Sequence, residues 1–138
     1  MVTCVIVKLN LLICIFNQIP NGCTLWVADY INDAFNNREL LKLKEYLLKV
    51  ESGVYAFSLS PQCLEYLQKS FLECPLLTNY FVHYGITLND KKILKVVDDF
   101  TYWLYQDFNI PDNLLRLCEE NEIYVERETK QDRFMWEK

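Results

Sequence analysis

Only three glycines, Gly22, Gly53 and Gly85, occur in 138 residues, and none lies near another. That scarcity limits the chain before any other feature is read. A phosphate-cradling loop needs clustered glycines so that the backbone can approach the ligand, so both the dinucleotide fingerprint and the Walker loop are excluded. With four prolines and 51% hydrophobic residues besides, little interrupts collapse into a packed core. A disordered or low-complexity chain does not have this composition. The length suits one domain, read as residues 1–128, with a charged tail over 129–138.

Charge is unevenly spread. The total is −5, and residues 86–128 carry ten acids against five bases. A negative half-domain repels a phosphate backbone, so general nucleic-acid binding is not expected. The acids form either a solvated face or a surface matched to a basic protein partner.

Six cysteines, Cys4, Cys14, Cys23, Cys63, Cys74 and Cys118, fall at irregular spacings, several on apolar stripes. A chain with this much core needs no disulfides. No Cys-x-x-Cys pair occurs and His83 is the only histidine, so no zinc site of ordinary spacing can be assembled. Reduced thiols point to a cytoplasmic protein. The apolar opening, residues 1–23, is broken by Lys8 and Asn10 and lacks a small-x-small cleavage site. It reads as a core strand instead of a signal peptide, and it is too short and polar to span a membrane.

Along the chain, the β-branched residues 3–9 predict a buried strand. Leu25, Ala28, Ile31 and Phe35 predict a helix from Thr24, and Leu40, Leu43, Leu47 and Val50 a second over 38–50. Residues 54–59 predict another strand. Ser60-Pro61 is a start signal, serine as N-cap and proline at the first helical position, for a helix carrying Leu64, Leu67 and Phe71. Asn89 is read as the cap of the longest helix, 90–108, with Ile93, Val96, Val97, Phe100, Trp103, Leu104 and Phe108 as its stripe. Pro111 opens a short helix, and 122–126 form a last strand. Helices between every pair of strands predict a helix-rich α/β domain with a small, mainly parallel three-stranded sheet. An α+β arrangement is the alternative.

Chemistry-bearing residues are few. His83, between aromatic neighbours, reads as a packing histidine. Asp98 and Asp99 are adjacent and point about 100° apart on a helix, which does not suit one shared ion. No cofactor is expected from these residues.

Three short stretches resemble PIN-like ribonucleases. Residues 5–13, VIVKLNLLI, look like that family's opening strand, which reads hydrophobics, Asp-Thr-Asn, then hydrophobics. Residues 58–67, SLSPQCLEYL, are similar to its second strand and helix, and 113–125 to its closing helix–strand unit. The resemblance implies a metal-dependent ribonuclease using magnesium or manganese, with Asn10 and Glu65 at matching positions. Lys8 stands where the family's first catalytic aspartate belongs, which implies a degenerate centre.

Aromatic residues carry the leading expectation. Nine tyrosines, eight phenylalanines and three tryptophans exceed an ordinary core's need. On the expected helix, Tyr102, Trp103 and Tyr105 span too wide an arc to be wholly buried, with Asp98, Asp99 and Asp107 beside them. An aromatic centre with an acidic rim suits a non-enzymatic interaction domain that binds a basic protein surface, as an inhibitor, immunity or accessory protein does. Phe134 and Trp136 in the tail dock on the domain, on a partner, or in a homodimer contact.

Overall fold

The computed structural model describes residues 4–28, 31, 38–97, 99–106 and 108–128. Helix α1 spans Val5–Gln18. Among the described residues seven strands follow: β1 (Thr24–Val27), β2 (Leu47–Glu51), β3 (Val54–Ser58), β4 (Tyr84–Leu88), β5 (Lys91–Val97), β6 (Tyr102–Tyr105) and β7 (Tyr124–Arg127). A 3-10 helix (Arg38–Tyr46) precedes β2, and α2 (Pro61–Glu73) and a second 3-10 helix (Pro75–Tyr80) link β3 to β4. Helix α3 (Asp112–Glu120) links β6 to β7. The expected tail, 129–138, lies outside the described residues.

All seven strands share one sheet, in the order β2-β3-β1-β4-β5-β6-β7. Every neighbouring pair is antiparallel except β6 and β7. This overturns the small, mainly parallel three-stranded sheet, and the α+β alternative describes the molecule better. The reason lies in two misread segments. The expected helix over 90–108 is a hairpin and a third strand, because Asn89 and Asp90 both have positive φ, 52° and 65°. That is the two-residue turn whose twist matches antiparallel strands. Asn89 therefore turns the chain instead of capping a helix, and the β-branched and aromatic residues after it pair as strands. Likewise Thr24 to Val27 alternates, with Leu25 and Val27 buried and Thr24 and Trp26 half-buried, so β1 replaces the expected helix.

Residues 5–9 err in the opposite direction. They belong to the strand expected over 3–9, yet they open α1. Lys8, Leu11, Leu12, Ile15 and Ile19 are buried at three- and four-residue intervals, a stripe only a helix gives. Packing of that stripe outweighs the strand preference of Val5, Ile6 and Val7.

Strands β1 and β2 run parallel with β3 between them, β3 and β4 run parallel with β1 between them, and β6 and β7 are parallel neighbours. Each connection carries helical structure. The first steps across the sheet one way, while the other two leave strands of opposite direction and step the other way. Right-handed crossovers then all pass over the same sheet face. On that face Leu25, Phe57, Ile86, Leu94, Val96 and Trp103 pack against Leu12, Ile15 and Phe16 of α1 and Leu67 and Phe71 of α2. A run of edge-to-face rings, Phe71–Phe81–Tyr84–Phe100, spaced 5.3, 5.5 and 5.4 Å, joins α2 to the turn before β6. Much of the aromatic surplus is therefore core.

The second face is unevenly covered, with Ala56, Thr87 and Lys92 buried on it. Trp26, Lys95, Val97, Tyr102 and Leu104 on it are half-buried, and Tyr124 and Glu126 are exposed. Trp26 packs with Val54 as a small separate cluster and donates its indole N–H to Thr87 Oγ1 at 3.0 Å.

Candidate interaction surface on β6 and β7

Because β6 is a strand, its three aromatic residues part company. Trp103 points into the core and is fully buried, its Nε1 donating to the Phe100 carbonyl at 2.9 Å. It is not an exposed anchor. Tyr105 shares that side of the sheet and lines a cleft of about 480 Å³ with Phe108, Asn109, Ile110, Leu115 and Arg127. Tyr102 alone reaches the second face.

There the parallel register sets Tyr102 opposite Tyr124 and Leu104 opposite Glu126. The tyrosine rings stack, with centroids 5.1 Å apart and planes 3° from parallel. The Tyr102 hydroxyl donates to Glu126 Oε2 at 2.5 Å, and this carboxylate pushes the phenol up to about 12. Tyr124 is 58% exposed, and Tyr102 backs one of its π faces. Five glutamates and a single arginine lie between 119 and 128, and of the glutamates all but the half-buried Glu128 are exposed. Glu128 pairs with the buried Lys92.

The acidic rim also changes. Asp99 is not on a helix but in the turn before β6, where its carboxylate pairs with Lys8 at 2.7 Å. Lys8 also donates to Asn79 Oδ1 at 3.1 Å. Asp99 thus serves as a tie between α1 and the sheet. Asp98, Asp107, Phe134 and Trp136 lie outside the described residues.

Asn10 and Glu65, the two positions matching the nuclease pattern, are exposed on different helices, α1 and α2. Glu65 borders a cleft of about 330 Å³ with Lys42, Tyr46, Gln62, Tyr66 and Lys69. The nearby ammonium groups offer a carboxylate a cation other than a metal. Among the described residues, no three His, Cys, Asp or Glu side chains gather to hold a metal ion. All six cysteines are free thiols, and burial pushes those of Cys63 and Cys118 up to about 12. No helix among the described residues is long and apolar enough to cross a membrane.

Sequence reasoning missed Tyr124 and Glu126. Their signal was present in residues 122–126: on a strand, positions 124 and 126 share one face, and only pairing with β6 gives that face its meaning.

Comparison of the chain with known protein families, with curated proteins and with solved structures finds no match.

Proposed function

We propose that this chain is a non-enzymatic interaction domain that captures a basic segment of another protein on the second face of β6 and β7. The observation that carries the reading is the Tyr102–Tyr124 stack with Glu126 beside it. A lysine or arginine laid over the exposed Tyr124 ring gains a cation–π contact, which is stronger where water is partly excluded. Glu126 supplies opposite charge to the same segment, and Leu104 lies in the same row as Glu126. Tyrosine suits such a surface because its ring buries area at little entropic cost and its hydroxyl keeps a polar contact. The acidic stretch 119–128 would steer a basic partner and make association fall as salt rises.

The test is affinity purification from the native cells, run in parallel with wild-type protein, Tyr124→Ala and Glu126→Lys. A basic protein recovered by the wild type, released by salt and lost from both variants supports the reading. Equal recovery by all three places the contact elsewhere and contradicts it.

A further inference from the structure

Strand β2 ends the sheet on the side away from β7, and among the described residues no strand lies beyond it. Leu48 and Val50 on this strand are 60% and 51% exposed. An uncovered apolar edge is a template for pairing with another chain.

The adjoining turn fixes which backbone groups face outward. Ser52 and Gly53 both have positive φ, 53° and 79°, the two-residue hairpin turn. Such a turn closes on a hydrogen-bonded pair, here Glu51 opposite Val54. The alternation then makes Lys49 and Ala56 the next bonded pair, so the Val50 N–H and C=O point away from β3. Two copies of β2, antiparallel about a two-fold axis at Val50, would bond Val50 to its counterpart through both groups.

The charges single out that register. Lys49 and Glu51 share a sheet face and sit 3.5 Å apart within the strand. With the axis at Val50, Lys49 lies opposite Glu51 of the second copy, and Glu51 opposite its Lys49. Moving the axis to Lys49 or Glu51 sets like charges face to face, which is destabilising. The sequence Lys-Val-Glu is therefore self-complementary in the register that its outward hydrogen-bonding groups permit.

We infer that the partner of this edge is a second copy of the chain, docked antiparallel along β2 so that two seven-stranded sheets become one. This interface uses the edge farthest from Tyr124. Each dimer would then present two copies of the β6–β7 surface, which strengthens binding to a partner with repeated basic segments.

Sedimentation equilibrium of the full chain over a concentration series tests the inference. Wild-type protein should approach twice the 16.5 kDa chain mass. Lys49→Glu and Glu51→Lys should each weaken self-association roughly tenfold. Mixing the two should restore a dimer, because the acidic pair on one chain then meets the basic pair on the other. Val50→Pro removes the outward N–H without breaking a bond to β3, and should abolish the dimer while melting as wild-type protein diluted to the monomer does. A wild-type chain that stays monomeric throughout overturns the proposal. So does a dimer that all three variants form as well as the wild type.

Discussion

The Lys8 ammonium lies 2.7 Å from the Asp99 carboxylate and joins the first helix to the turn before β6. The two ends of this pair are unequally placed: the Lys8 side chain is 5% exposed and that of Asp99 40%. Neutralising Asp99 leaves a buried ammonium without its countercharge, whereas removing Lys8 leaves a carboxylate that water can reach. Asp99→Asn should therefore cost about 2–3 kcal/mol, and Lys8→Met about 1 kcal/mol or less. Asparagine tolerates the positive φ of 55° at this position, so the comparison is not confounded by backbone strain. Urea unfolding midpoints measure both. The opposite order would show that the buried lysine is not what the aspartate serves.

Trp103 gives a second expectation. Trp103→Ala empties the centre of the core and should destabilise by about 3–5 kcal/mol. Trp103→Phe keeps most of the volume but leaves the Phe100 carbonyl without its indole donor, at about 1–2 kcal/mol. Thermal unfolding separates the two. An alanine variant as stable as the wild type would contradict the fully buried placement.

Local signals were legible where one or two residues decide the outcome. Ser60 caps α2 through the Cys63 N–H, with Pro61 in the first turn, and the β3 strand, the α3 helix and the β7 strand fall close to where the sequence put them. What failed was the choice between period 2 and period 3.6 in apolar runs. Ile93, Val96 and Val97 satisfy a helical stripe, and the strand becomes visible only once Asn89 and Asp90 are known to turn. In α1 the error ran the other way, because Val5, Ile6 and Val7 favour strands while burial from Lys8 onward demands a helix. The site inherited these errors. Tyr102 and Trp103 share a helical arc but face opposite sides of a strand, so Trp103 left the expected aromatic centre for the core. Tyr124 entered only through a pairing of distant segments that no local pattern shows.

The hydrogen bond from Tyr102 to Glu126 makes a pH prediction. The folded phenol is raised from 10.0 to about 12. Its stabilising contribution is complete below pH 10 and is lost as pH rises toward 12, since the unfolded chain gives up this proton first. Besides Tyr66 and Tyr84, whose phenols burial raises, carbon-13 NMR of labelled tyrosines should show Tyr102 as a late-titrating ring. Glu126→Gln should return it toward 10. A Tyr102 signal unmoved by that substitution would remove the hydrogen bond as the cause.

Ser60→Ala deletes the α2 cap and should lower stability by about 1 kcal/mol. Ser60→Asp should largely retain it, because the carboxylate can accept from the same N–H. Chemical denaturation of the two variants checks this. Equal losses would mean that Pro61 and packing set the helix start without the cap.

The most direct test of the interaction surface is a nitrogen-15 NMR titration of the full chain with a hexa-arginine peptide, with hexa-glutamate as the control. Shift changes concentrated at Tyr102, Leu104, Tyr124 and Glu126, weakened by salt and largely lost in Tyr124→Ala, are the predicted result. Changes centred on another surface, or none at all, would contradict the account.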